Sequence, residues 1–307
     1  MKRITFALSL VVMLMGYSKK ADAQYYFYND TYYDNPVLFE VGASVGVMNC
    51  LTDLGGKKGI GKRFIKDLNF GNNEIAGGVY FSAMYKYAIG LRLEATFGKV
   101  SAFDSILAGV TDIAKNRFNR NLSFRSTISE FSLMTELHPL FIFIDWTNRD
   151  DDPPRYSPYL LAGVGYYSFN PQTKFENRWV DLQPLSTEGQ GFANYPDRQP
   201  YKLKQLNFPV GIGVKYELSD LLSLRGEFVY RVLKTDYLDD VSTSYIDPQE
   251  FYNNFPVSQA VLAEQLADRQ RNQVAFAGGK RGSPAEKDAF FTFNLKIGLA
   301  IGRERIR

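Results

Sequence analysis

An all-β chain, closed into an eight-stranded antiparallel transmembrane β-barrel with long extracellular loops, is the fold class this sequence predicts. Three observations carry that expectation. Eight stretches alternate apolar with small or polar residues, the N-terminus reads as an export signal, and the composition is rich in aromatics and glycine, with 20 Tyr, 24 Phe and 25 Gly. Alternation at period two marks a strand with one apolar face. Aromatic residues anchor strands at the membrane interface, and glycine allows close packing inside a narrow barrel.

Residues 1–23 carry Lys2 and Arg3, an apolar run from Ile4 to Met15, and the ending Ala21-Asp22-Ala23. This is the order of a cleavable secretory signal. Its apolar core is too short for the roughly 20 residues of a spanning helix, and no later stretch supplies one. The expected organisation is therefore a signal peptide over 1–23 and a single outer-membrane β-barrel domain over 24–307.

The first strand spans 39–47, with Phe39, Val41, Ala43, Val45 and Val47 opposite Gly42, Ser44 and Gly46. The second, 75–87, sets Ile75, Val79, Phe81, Ala83, Tyr85 and Tyr87 against Gly78, Tyr80, Ser82 and Lys86. After a tight turn the third sets Ile89, Leu91, Leu93, Ala95 and Phe97 against Arg92, Glu94 and Thr96. The fourth, 127–137, has Phe131, Leu133 and Leu137 opposite Glu130, Ser132 and Glu136. Its extension through the aromatic run 141–146 is opposed by Pro139. The fifth covers 157–169, the sixth 206–217, the seventh 222–232 and the eighth 291–302, each with the same alternation. An even number of strands closes a small barrel and removes the unpaired edges that hydrocarbon cannot satisfy.

A water-soluble eight-stranded barrel with its apolar face inward has the same periodicity. Glycine concentrated on the polar face and aromatic ends on the apolar face favour the membrane version. Connections also alternate: tight turns near 87–88 and 218–220, but long segments at 48–74, 98–126, 170–205 and 233–288. That pattern matches a periplasmic and an extracellular rim, with 148–154 a longer turn on the periplasmic side. Short helices are expected within 105–118 and over 257–269.

The alternation places Arg92, Glu94, Glu130, Glu136, Arg225, Glu227, Arg231 and Lys296 on the polar face, where opposite charges would satisfy one another and plug the lumen. An ion path or a carboxylate pair for catalysis is the functional alternative; spacing alone reveals neither substrate access nor perturbed acids. His138, the one histidine, reads as a strand-boundary residue. With one histidine and one cysteine, Cys50, the chain has no basis for a hydrolase triad, a Cys/His metal site or an internal disulfide. Asp150-Asp151-Asp152 reads as a solvated turn, and Gly55, Gly56, Gly59 and Gly61 lack the Gly-Lys-Ser/Thr ending of a phosphate loop. No cofactor or metal is expected. A formal charge of +3 gives no support for a nucleic-acid partner.

Two segments resemble a known family. Thr235-Asp236-Tyr237-Leu238-Asp239-Asp240-Val241-Ser242 with Tyr245, and Lys280-Arg281-Gly282-Ser283-Pro284 with Asp288, together with Glu40-Val41-Gly42, are similar to a Bacteroidetes family of small outer-membrane barrels represented by PorG, associated with type IX protein secretion. The resemblance implies a non-catalytic barrel that anchors or supports a periplasmic ring, with a ring lipoprotein and its associated ring protein as partners beside the outer-membrane lipids. Asp236, Tyr237, Asp239, Asp240, Arg281 and Asp288 form the family-like loop motif. The alternative reading of the aspartates is loop capping and ion pairing with Arg281. The basic tail, with Arg303, Arg305 and Arg307, is a candidate periplasmic contact. The functional alternative is a small channel or surface ligand-binding barrel unrelated to secretion.

Overall fold

The computed structural model describes residues 36–55, 70–109, 114–144, 146, 154–219, 221–272, 274–285 and 287–301. The expected signal at 1–23, the Asp150-Asp151-Asp152 turn, Gly56, Gly59 and Gly61, and the tail with Arg303, Arg305 and Arg307 lie outside the described residues.

Period-two alternation produces long strands: β1 (Val37–Leu51), β2 (Glu74–Tyr85), β3 (Ile89–Phe103), β4 (Ser123–Leu137), β5 (Tyr156–Ser168), the short β6 (Pro171–Phe175) and β7 (Arg178–Asp181), then β8 (Lys204–Glu217), β9 (Leu222–Leu233) and β10 (Ala289–Ile301). The eight long strands form a ring in the order β3-β2-β1-β10-β9-β8-β5-β4, and β4 pairs back onto β3. First and last strands are in continuous antiparallel register from Phe39↔Ile301 to Leu51↔Ala289. Closure satisfies the backbone of every spanning strand within the ring.

The face each residue takes decides between the two barrels left open by periodicity. Val45, Ile75, Leu93, Phe131 and Leu295 point outward at 62, 79, 56, 63 and 61 % exposure, whereas Arg92, Arg225 and Lys296 are fully buried inside. An apolar exterior around a charged interior is stable only in lipid, so this is a transmembrane barrel. On β3 the outward positions Ile89, Leu91, Leu93, Ala95 and Phe97 cover on the order of 20 Å of height for a tilted strand. Phe97 and Phe131 meet edge to face at 6.3 Å on the outer end of that belt.

One rim carries the turn at 86–88, the strand ends Leu137, Tyr156, Glu217 and Leu222, and the strand ends Val37 and Ile301; the opposite strand ends, between which the longer connections run in sequence, form the other. Short turns face the periplasm and long loops the outside in an outer membrane. The β2–β3 turn is tight because Lys86 and Tyr87 both take positive φ, 48° and 58°, as a two-residue hairpin turn requires. Strand two therefore stops at Tyr85, and Tyr87 turns inward instead of continuing the outer face.

Several boundaries differ from the sequence expectation. β3 and β4 run on to Phe103 and from Ser123, beyond the lipid belt, because inward Val100, Ala102 and Phe124 keep the alternation on the core side after Lys99 and Arg125 end it outside. The 141–146 extension of strand four is absent: β4 ends at Leu137, and Pro139, suited to a first helical turn, opens a helix. The 170–205 connection contains the β6–β7 hairpin, turned at Glu176 and Asn177 with φ of 45° and 67° and paired to the outer end of β4 through Arg125↔Gln172. Among the described residues the α-helices are α1 (Ala114–Arg120), α2 (Pro139–Phe143), α3 (Gln249–Asn254) and α4 (Val257–Ala267). All but α2 belong to the external loops.

Candidate functional site

The lower lumen is filled by one chain of alternating charges. Lys215 Nζ lies 3.0 Å from Glu40, Arg225 2.7 Å from Glu40 and 2.9 Å from Glu136, and Arg92 3.1 Å from Glu136 and 2.6 Å from Glu227. Lys296 then joins Glu227 at 2.8 Å to Glu94 at 2.6 Å, and Glu94 returns to Arg92 at 3.3 Å. Glu40, Glu94, Glu136 and Glu227 thus balance Lys215, Arg225, Arg92 and Lys296. Tyr80 of β2 donates to Glu40 at 2.6 Å and Tyr159 of β5 to Glu227 at 2.8 Å, so all eight ring strands contribute. Burying any one of these charges alone would be costly; mutual pairing is what permits the arrangement.

Close packing of the two tyrosines depends on glycine. A Cβ at Gly42 or Gly298 would overlap Tyr80, and one at Gly213 would overlap Tyr159. The glycines on the polar face are therefore ring seats as well as sites of close backbone approach.

Beside this network Met134, Tyr159, Leu161 and Val229 pack as an apolar cluster, and above it Arg231 pairs with Glu130 at 3.0 Å while donating to Thr292 at 2.6 Å. The outer half of the barrel is then apolar: Met48, Val100, Ala102, Phe124, Ile128, Tyr167, Phe169 and Phe290 join Leu54, Leu122, Leu238 and Val241 from the loops. The periplasmic mouth is closed by Leu38, Met84 and Tyr87 with Phe141 of α2 packed beneath them. The charge network thus fills the lower lumen, and the Arg231–Glu130 pair is a separate ionic contact above it.

All eight charged residues expected on the polar face lie inside, but in two groups. Arg92, Glu94, Glu136, Arg225, Glu227 and Lys296 share one network, while Glu130 and Arg231 form a separate pair. Sequence reasoning missed Glu40, Lys215, Tyr80 and Tyr159 as members, although each sits on the polar face of its strand. His138 does stand at a strand end, but buried: Nδ1 lies 2.7 Å from Ser157 Oγ, Nε2 3.4 Å from Glu136, and its ring stacks on Tyr159 at 5.0 Å.

The loop motif is built into an external cap. Arg281 lies 2.9 Å from Glu188 and donates at 2.6 Å to the Asp240 carbonyl, while its distance to the Asp240 carboxylate is 3.9 Å. Its principal partner is therefore Glu188, which also accepts from the Ser242 and Thr243 amides. Asp239 accepts from the Leu54 and Val241 amides, Asp288 from Leu238, and Tyr237 stacks on Tyr201 at 4.9 Å. Asp236 and Asp239 do not pair with Arg281; they are backbone caps or buried acids. Arg120 of α1 holds Asp104 through two bonds of 2.8 and 2.9 Å and reaches the Arg281 carbonyl at 2.7 Å. Glu188, Arg120 and Asp104 gave no sequence signal, since irregular loops lack a period from which contacts could be read.

Burial shapes the acids of this cap. It pushes the Asp236 carboxyl up to about 7, with a Ser242 hydrogen bond opposing and Asp53 adding to the shift. Burial raises Asp240 to about 6 against the pull of Arg281. Asp239 and Asp288 rise well above the usual carboxylate range, again through burial first and then neighbouring aspartates. Burial would lower Arg281, but Glu188 and Asp240 hold it above its ordinary value.

Among the described residues, no group of three or more His, Cys, Asp and Glu is placed to hold a metal ion. Ring closure, apolar belt and filled interior define a small outer-membrane β-barrel. No protein-family profile matches the chain, and no curated protein matches it. Solved structures similar to it include the N-terminal barrel domain of Pseudomonas aeruginosa OprF, at 8% identity over 87% of this chain and 98% of that one, TM-score 0.32. Neisserial surface protein A is similar at 10% identity over 85% and 96%, TM-score 0.35. A major outer membrane protein of Thermus thermophilus is similar at 15% identity over 87% and 100%, TM-score 0.39.

Proposed function

We propose that the protein, with residues 24–307 as its single barrel domain, is a non-conducting outer-membrane scaffold whose working surface is the folded external cap. The observation that carries this reading is the contrast between its two ends. The lumen is filled by paired charges and sealed by apolar side chains, whereas the outer loops are built into a second hydrophobic core of Leu182, Leu185, Phe192, Ile246, Phe251 and Ala263 among others. Loops held by a rigid scaffold are where binding surfaces concentrate. A surface ligand-binding barrel fits this better than a channel.

The second reading is support of a periplasmic ring in a type IX secretion machine, through a ring lipoprotein and its associated protein. It is favoured by the resemblance of the 235–245 and 280–288 segments, and by α2. On that helix Phe143 is 82% exposed on the periplasmic rim. In this reading the tail with Arg303, Arg305 and Arg307 is a further periplasmic contact, and the family-like loop motif stabilises the cap without touching the ring.

Crosslinking in native outer membranes, with identification of the captured proteins, tests both. Partners attached through the 170–205 and 234–288 loops support the first reading. Ring proteins attached near Phe143, with loss of cargo export when the gene is deleted, support the second and overturn the first.

A further inference from the structure

The outer edge of the lipid belt is basic over one contiguous sector. On β3, Lys99 is the first outward position beyond Phe97; on β8, Lys204 is the first beyond Leu206; after β9, Lys234 is the first beyond Val232. On β4, Arg125 faces outward one step above Thr127, which pairs with Lys99. These strands are neighbours in the ring, with β5 and its outward Tyr166 between β4 and β8. Among the described residues none of the four cations pairs with a carboxylate.

Their aliphatic and aromatic surroundings fix them at the boundary. Lys234 Nζ lies over the Phe208 ring at 5.2 Å, and the Arg125 guanidinium lies on Trp179 of β7 at 3.4 Å while Nε donates to Gln172 at 3.2 Å. The acids of the hairpin that flanks Arg125 are engaged within it. Asp181 is capped by the Asn170 and Gln172 amides, and Glu176 sits in a turn flanked by Lys174 and Arg178. The hairpin thus balances its own charge and leaves the four cations uncompensated.

We propose that this sector seats a phosphorylated glycolipid of the outer leaflet. Its acyl chains lie along Phe97, Phe131, Tyr166, Leu206 and Phe208, and its headgroup phosphates bridge Lys99, Arg125, Lys204 and Lys234. The position carries the argument: these cations stand where hydrocarbon gives way to headgroups, continuous with the lipid-facing surface below. Lipid phosphates are the anions held at that depth, and basic side chains beside a membrane surface attract them. A row across five adjacent strands, roughly 20 Å at the usual strand spacing, can engage more than one phosphate at once.

The test uses the full-length barrel in detergent micelles, titrated with bisphosphorylated lipid A, with its dephosphorylated form and with inorganic phosphate as competitor. The proposal expects saturable binding that weakens about ten-fold without the phosphates or in the K99Q/R125Q/K204Q/K234Q variant, and weakens with salt. The charge-keeping K99R/K204R/K234R variant should bind as the parent does. Folding of each variant is read from its heat-dependent gel shift; should the quadruple variant not fold, K204Q/K234Q replaces it with a smaller expected loss. Undiminished binding of dephosphorylated lipid A or of a folded glutamine variant overturns the proposal. Displacement by inorganic phosphate at concentrations matching the lipid also overturns it, since the site would then be one for free anions.

Discussion

Arg92 on β3 and Glu227 on β9 stand on opposite walls of the ring, four strands apart in either direction, yet their side chains meet at 2.6 Å. The pair ties the barrel across its diameter, and Arg92 also compensates Glu94 and Glu136. Removing one partner leaves buried charge without its counterpart. Arg92→Met is expected to cost about 3–5 kcal/mol in reversible denaturant unfolding from detergent micelles. The R92M/E227M double variant keeps the remaining signs balanced and should recover most of that loss; a double variant as unstable as the single one would show that the pair does not act as a charge bridge.

Conductance tests the layered interior. The ionic lower lumen and the apolar outer core are independent seals, so weakening the lower one should not open a path. Both the parent and an E94Q/K296M variant are expected to show no sustained channels in a planar bilayer at neutral pH. Stable openings in the variant would locate the barrier in the charge network and reduce the Phe124, Tyr167, Phe290 layer to a permeable lid.

The barrel was legible because a strand's faces are fixed by parity: once Leu91 and Leu93 point to lipid, Arg92 and Glu94 must point inward. The same parity held Glu40 and Lys215 inside, but nothing local tells which inward charges will touch across the lumen. That depends on ring closure, which joins residues as distant in sequence as Glu94 and Lys296. Strand ends were less legible beyond the belt, where Lys99 and Arg125 interrupt the outer apolar face while the inner one continues. In the cap, Glu188 and Arg281 meet across irregular loops with no repeating geometry to forecast the pairing. The β6–β7 hairpin left only the short Glu176-Asn177 turn signal, easily lost between strands of five and four residues.

Glycine on the lumen wall gives a packing test. At Gly213 a Cβ would fall within the Tyr159 ring, whose hydroxyl bonds Glu227, whereas at Gly226 on the outer face it would meet nothing within 4 Å. Gly213→Ala should therefore destabilise by about 1–3 kcal/mol through overpacking, and Gly226→Ala should stay within about 0.5 kcal/mol of the parent. Denaturant midpoints of the two variants check this directly. Equal effects would mean that Tyr159 moves aside at no cost.

The acids of the cap set a pH dependence opposite to that of salt-bridged carboxylates. Asp236 is raised from 3.8 to about 7 in the folded protein by burial and by Asp53, so the folded cap binds a proton that the unfolded loop does not. Folding stability consequently carries its full penalty above about pH 7, and recovers as pH falls toward the unfolded value. Asp239 and Asp288 shift in the same direction beside it, and Asp240 does so to about 6. The 234–288 connection should be better protected from hydrogen exchange at pH 6 than at pH 8 once intrinsic rates are corrected. Asp236→Asn should raise protection at pH 8 and flatten the difference between the two. Lower corrected protection at pH 6 would mean that the buried aspartates do not set the pH dependence of the cap.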